Sequence, residues 1–239
     1  MNELKLDGEV LDGRYQIKGR ISSGSYAEVF VARDLRSPSK DVAVKALNPH
    51  LQGTCDSDLE AHLSENFEKE AAILKSISHA NIVALSDDGK ATDLLGREFR
   101  FIVLEYMPGG DLLDLTRSQS NGCLSLSQTL EYIRQISDGL SFAHQLGIIH
   151  RDLKPNNFLL TADHRTVKVA DFGVAKLTSD EAGEITRIGT GTYSAPEHSP
   201  NAAEATIGML TVSADIYSLA KSCFSLVCGR SPGEFAGKQ

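Results

Sequence analysis

A two-lobed α+β fold is predicted for this chain, and three features of its pattern predict it. Strand-type apolar runs crowd the segment from Tyr15 to Leu104, helical periodicity dominates the remainder, and Pro108-Gly109-Gly110 breaks the chain between them. The expected division is an extension over 1–14 and a domain over 15–239. Within that domain a small β-rich lobe runs to about residue 107 and a larger helical lobe over about 108–239.

In the first lobe, Tyr15-Gln16-Ile17 opens a strand, and Ile21 to Val31 reads strand, turn, strand around Ser22, Ser23, Gly24 and Ser25. Asp41 to Leu47 is a further strand, with Val42 and Val44 on one face and Ala43 and Lys45 on the other. After a polar loop, Phe67, Ala71, Leu74 and Ile77 recur at helical spacing. Ile82–Leu85 and Phe99–Leu104 read as two more strands. In the second lobe, Leu130, Ile133, Ile136, Leu140 and Ala143 mark an amphipathic helix stopped by Gly147. Ile148-Ile149 leads into His150 as a short strand, and Phe158–Leu160 with Val167–Ala170 forms a hairpin. Asp215–Val227 is expected to be a buried helix, with Ile216, Leu219, Ala220, Phe224 and Val227 as its apolar positions.

Composition narrows the function classes. With 239 residues, 41% hydrophobic, the chain can bury a substantial core. A net charge of −8 argues against nucleic-acid or anionic-membrane binding. No apolar run approaches the ~20 residues needed to span a bilayer, and the acidic N-terminus is not a secretory signal. Cys55, Cys123, Cys223 and Cys228 form no Cys-x-x-Cys pair, so reduced thiols and a cytoplasmic location are expected.

The chemistry concentrates in His150-Arg151-Asp152-Leu153-Lys154-Pro155-Asn156-Asn157 and in Asp171-Phe172-Gly173. Transfer of a phosphoryl group from ATP needs a carboxylate at the acceptor hydroxyl, and a carboxylate and an amide for Mg²⁺. Asp152, Asp171 and Asn157 have the types, order and spacing for these tasks.

This arrangement resembles the catalytic core of eukaryotic-type serine/threonine protein kinases, and the resemblance extends from about Tyr15 to Gly229. It implies that Asp152 orients or accepts the substrate hydroxyl proton and that Lys154 stabilises charge on the γ-phosphate. Asn157 and Asp171 would bind Mg²⁺, with Mn²⁺ as an alternative. The glycine-rich phosphate loop of the family corresponds to Ser22 through Val29. Gly24 is kept there, while Ser22 and Ala27 stand where the family has glycine. Val42-Ala43-Val44-Lys45 resembles the strand whose lysine pairs with the α- and β-phosphates. Its partner by motif is Glu70; the rival Glu68 would point roughly 200° away around the helix. Leu104 corresponds to the residue at the back of the adenine pocket. Backbone groups of Glu105 and Met107 would bond the adenine edge, and Val29, Ala43 and Leu159 would sandwich the ring.

The resemblance also implies regulation. Arg151 would receive a phosphate from the activation segment, with Thr186 the first choice and Thr178 and Ser179 lesser sites. Thr190 would contact Asp152 and Lys154. His150 would pack near Phe172 and anchor to Asp215. Tyr193 to Glu197 resembles the segment closing the substrate groove. Gly229-Arg230-Ser231-Pro232 and the long loop before Glu70 are similar to bacterial members. The chain stops soon after the Asp215 helix, where a complete domain of the family continues, so the helical lobe is expected to lack its last helices. The expected activity is phosphorylation of serine and threonine on proteins, with self-association for autophosphorylation in trans. Two other readings stand beside it. Ser22 and Ala27 suit an ATP-binding scaffold. A small-molecule phosphotransferase shares the lobed fold, but Gly189-Thr190 and Ala195-Pro196-Glu197 favour a protein substrate.

Overall fold

A computed structural model describes residues 2–172, 192–196 and 212–235. The chain divides into two compact units, Met1–Ser76 with Ala84–Tyr106, and Ile77–Val83 with Met107–Gln239.

The first unit is a six-stranded antiparallel sheet carrying one long helix. Its strands are β1 (Val10–Leu11), β2 (Tyr15–Ser23), β3 (Ala27–Asp34), β4 (Asp41–Leu47), β5 (Leu85–Thr92) and β6 (Glu98–Glu105), in the order β1-β2-β3-β4-β6-β5. Alternation along the strands gives the sheet two different faces. Phe30, Ala32, Val42, Val44, Ala46, Phe101 and Val103 fill a core on one face, closed by Leu4, Leu6, Leu11, Tyr15, Ile17 and Phe99. Each Val, Leu, Ile or Phe among them contributes about 1.5–3 kcal/mol by leaving water. The register places Val29 opposite Lys45, Val31 opposite Ala43, and Ala43 opposite Leu104. Directly paired residues share a face, so these five side chains lie together on the other side. Helix α1 (Ser57–Ser76) buries Phe67, Ala71 and Leu74, the spacing read from the sequence.

One strand differs from expectation. Ile82 makes only an isolated bridge to Val169, and the pairing strand begins at Leu85. Its sequence, Leu-Ser-Asp-Asp-Gly-Lys-Ala-Thr, is that of a polar edge strand paired on one side by β6, so apolar content did not mark it. Arg14 joins β2 to this edge. It donates to both carboxylate oxygens of Asp34 at 2.9 and 2.7 Å and to Asp87 at 3.0 Å, while Tyr15 donates to Asp87 at 2.6 Å.

The second unit is mainly helical, with α2 (Leu112–Ser118), α3 (Leu126–Gln145), α4 (Val212–Cys228) and the hairpin of β7 (Phe158–Leu160) and β8 (Val167–Val169). Ser125 caps α3 by accepting from the Gln128 amide, and Gly147, at φ 75°, follows its end. Ile136, Leu140 and Ala143 are buried, but Leu130 is 55% exposed, and Tyr132 and Thr129 take its place inside. Ile148-Ile149 is not a strand. Gly109 must be glycine: a Cβ there would lie 2.3 Å from the Thr161 carbonyl oxygen, because its amide bonds the Leu160 carbonyl.

Helix α4 forms as expected but buries a different face. Ala214, Asp215, Ser218, Ser222, Ser225 and Leu226 are inside, while Ile216 and Phe224 are 59% and 43% exposed. The serine hydroxyls explain this reversal. Ser218 donates to the Ala214 carbonyl and Ser222 to the Ser218 carbonyl, so a face of small residues is buried without orphaned donors.

Candidate active site

In the first unit, β2 and β3 meet in a turn over Gly24, Ser25 and Tyr26, where the Gly24 amide donates to the Ala27 carbonyl at 2.8 Å. Ser22 pairs with Val29 and, like Gly24, is exposed. Gly24 has no left-handed φ, and a Cβ there would make only an ordinary 3.5 Å contact. Neither the fold nor the packing of the hairpin therefore demands glycine at this tip. Lys45 Nζ lies 2.7 Å from Glu70 Oε1, and both side chains are largely buried. Glu68 turns away and pairs with Arg100 at 2.5 Å. Ala43 and Leu104 are buried beside the Lys45 pair's strand partners, and Val29 and Glu105 are half-buried. The Glu105 amide donates to the Ala84 carbonyl at 2.9 Å.

In the second unit, the segment 150–157 is irregular until a 3₁₀ turn at Pro155–Asn157, and its shape is fixed by side chains. Arg151 has φ 70° and Asp171 φ 57°, a conformation that costs a non-glycine residue about 1 kcal/mol or more. Asp215, fully buried on α4, accepts the His150 amide at 2.8 Å through Oδ2 and the Arg151 amide at 2.8 Å through Oδ1. Its two oxygens thus hold two consecutive amides of the backbone leading into the left-handed turn. His150 is fully buried, with its ring centroid 4.8 Å from that of Phe172. Its Nε2 lies 2.9 Å from the Ala170 carbonyl oxygen, and its Nδ1 lies 3.2 Å from the Asp152 amide. Only a neutral ring protonated at Nε2 satisfies both bonds. Burial accordingly pushes its pKa below the usual histidine value, against the pull of Asp215.

This scaffold gathers the reactive side chains. Lys154 Nζ is 2.8 Å from Asp152 Oδ2, and Asn157 Nδ2 donates to the Asp152 carbonyl at 2.7 Å. The Ala170 amide donates to the Asn157 carbonyl at 2.9 Å, which brings Asp171 next to Asn157 along the backbone. The Asn157 side-chain nitrogen also lies 3.4 Å from Asp152 Oδ2. An amide oxygen and the Asp171 carboxylate are the hard ligands Mg²⁺ takes. Among the described residues no cluster of three or more His, Cys, Asp or Glu forms a closed cage. Met107 is buried and its carbonyl accepts from Gly110; Leu159 bridges Asp111.

A family model for the protein kinase domain matches residues 15–238. The chain belongs to the protein kinase family. Among curated proteins this kinase domain is 34% identical over 226 residues to the serine/threonine-protein kinase PknB of Mycobacterium tuberculosis. That match covers 93% of the chain and 33% of the relative. It is 32% identical over 228 residues to the serine/threonine-protein kinase PknA of Corynebacterium glutamicum, covering 94% of the chain and 45% of the relative. The chain thus spans less than half the length of these relatives.

Two contacts of the kinase core were not read from the sequence. His144 Nε2 lies 2.8 Å from Asp215 Oδ2, adding a third partner to the carboxylate. Its position in the last turn of α3 was the available signal. Asp111 caps α2 and also accepts from Asn156 Nδ2 at 3.3 Å, and burial raises its pKa. Thr186 and Thr190 lie outside the described residues, as do Thr178, Ser179, Gly173, Gly189 and Glu197. Among the described residues no helix is long and apolar enough to cross a membrane.

Proposed function

We propose that this chain transfers the γ-phosphoryl group of MgATP to serine and threonine hydroxyls of proteins, its own activation segment included. The observation that carries the proposal is the Asp152 cluster: a carboxylate held by Lys154 at 2.8 Å, with the Asp152 backbone carbonyl held by Asn157 at 2.7 Å, on a loop pinned by Asp215. The acceptor oxygen attacks the γ-phosphorus, the bond to the β–γ bridging oxygen breaks, and ADP leaves. Asp152 orients the hydroxyl and takes its proton. Lys154 stands beside that carboxylate and stabilises the transferring phosphoryl oxygens. Lys45, held by Glu70, orients the α- and β-phosphates. Gly24, with Ser22 and Ala27 about it, covers the phosphates at a tip where the protein's own packing leaves room. Val29, Ala43, Leu104 and Leu159 are assigned to the adenine ring, with Glu105 and Met107 contributing backbone groups.

 Asn157 and Asp171 would hold a divalent ion, Mg²⁺ or Mn²⁺, which would neutralise charge on the phosphates.

Arg151 sits beside Asp152 and is assigned to a phosphate on Thr186, placed there by a second copy of the chain in a transient pair; Thr190 is assigned to the acceptor side. The test is acceptor choice. Purified chain with MgATP is offered a serine/threonine peptide, a tyrosine peptide and an aminoglycoside. Phosphate on the first alone is expected, and transfer to the aminoglycoside alone would replace the reading with a small-molecule phosphotransferase.

A further inference from the structure

We infer that residues 2–6 form a strap that positions the phosphate-covering hairpin of β2 and β3, and that Glu28 is the positioning residue joining the two. The inference rests on the MgATP reading for the role of the hairpin. The strap lies outside the segment matched by the family model, which begins at residue 15.

Strand alternation sets up the connection. Val29 faces the Lys45 side of the sheet, so its neighbour Glu28 faces the opposite, apolar side. A carboxylate there is costly unless every oxygen is satisfied. Glu28 is fully buried, and the strap supplies part of the satisfaction: the Leu4 amide donates to Glu28 Oε1 at 2.8 Å. Asn48 Nδ2 donates to the same oxygen at 2.8 Å and to the Asn2 carbonyl at 2.8 Å. Arg20 Nη1 lies 3.0 Å from Glu28 Oε2 and 2.6 Å from Glu3 Oε1.

These contacts surround the turn. Arg20 is in β2, Glu28 is in β3, and the Asn48 amide donates to the carbonyl of Tyr26, at the tip itself, at 2.8 Å. The strap therefore ties both strands of the hairpin and its tip to one buried carboxylate. It is also held to the unit by groups outside the hairpin tip. Leu4 and Leu6 are buried in the core, Arg97 donates to the carbonyls of Asn2 and Glu3, and the Lys5 amide donates to Asp93 at 3.2 Å. Loss of the strap would open Glu28 to water and free the strand that carries Val29.

The test compares the full chain with three variants: deletion of residues 2–6, Arg97→Ala, which loosens the strap without touching the hairpin, and Glu28→Gln, which keeps one acceptor oxygen for Leu4 and Asn48 but turns an amide nitrogen toward Arg20. Amide hydrogen exchange is read at residues 22–27 without nucleotide, and MgATP affinity by calorimetry. The deletion is expected to speed exchange there about tenfold while α3 amides are unchanged. It should weaken MgATP about tenfold, comparable to losing one hydrogen bond to a charged group. Arg97→Ala should shift both in the same direction by less, and Glu28→Gln, whose new amide nitrogen would face the Arg20 donor, should shift both in the direction of the deletion. If the deletion does not fold, Arg97→Ala carries the comparison. Unchanged exchange at residues 22–27 in folded strap variants would overturn the inference. A parent chain that binds no MgATP would overturn the nucleotide reading instead, and the exchange comparison would still decide the strap.

Discussion

At the scale of single residues, the site depends on a few buried polar atoms whose partners are fully specified. Asp215 is the clearest case, since it accepts from two consecutive amides and meets His144. Asp215→Asn turns one acceptor into a donor facing a donor, leaving a buried group unsatisfied. A loss of about 2–3 kcal/mol is expected in denaturant unfolding, with the left-handed turn at Arg151 released. The Lys45–Glu70 pair makes a different prediction. Glu70→Gln keeps the shape but weakens the hold on Lys45. The expected effect is a fall of roughly 100-fold in kcat/KM for MgATP, with the melting temperature nearly unchanged. A clear fall in melting temperature with kcat/KM nearly unchanged would make the pair structural.

At the scale of elements, α4 shows where packing departs from apolar content. Its inner face is serine, and its larger apolar side chains Ile216 and Phe224 are more than a third exposed. Ser222→Leu should therefore cost about 2 kcal/mol by overpacking, whereas Ile216→Ser should stay within about 0.5 kcal/mol; chemical denaturation of both variants measures the contrast. The same physics explains what could be read in advance. Helix α1 was legible because Phe67, Ala71 and Leu74 keep a helical period against an apolar sheet. The meeting of Lys45 with Glu70 was read from the family motif, and the helical period set the rival Glu68 on another side. Strand β5 was not legible, because an edge strand paired on one side carries Asp87, Asp88 and Lys90. Nor was the α4 face, because serine hydroxyls bonded to their own helix are buried at little cost. Short α2 and β1 offered too few residues to show any period.

At the scale of the whole molecule, proton linkage ties stability to the same histidine that organises the site. His150 is neutral when folded, and its folded pKa lies below the ordinary value. The unfolded chain therefore binds more protons as pH falls through about 6.5. The stability from burying this ring is fully present above that pH. It is lost progressively below it, down to the folded pKa. Asp34, held below the carboxylate range by Arg14, behaves alike in a lower window: its contribution is present above about 3.9 and fades as acid reaches its folded pKa. Melting temperature should be level between about pH 7 and 8 and decline below about 6.5. The decline should be shallower in His150→Gln, and an unchanged slope would remove His150 from the linkage.

The measurement that bears most directly on the activity is transfer of labelled γ-phosphate from MgATP to the purified chain, with Asp152→Asn beside it and phosphosites mapped by mass spectrometry. Label on the parent chain, at Thr186 first, and none on the folded variant is the predicted result. A folded parent chain that binds MgATP yet carries no label, or an Asp152→Asn chain labelled as strongly as the parent, would contradict the account.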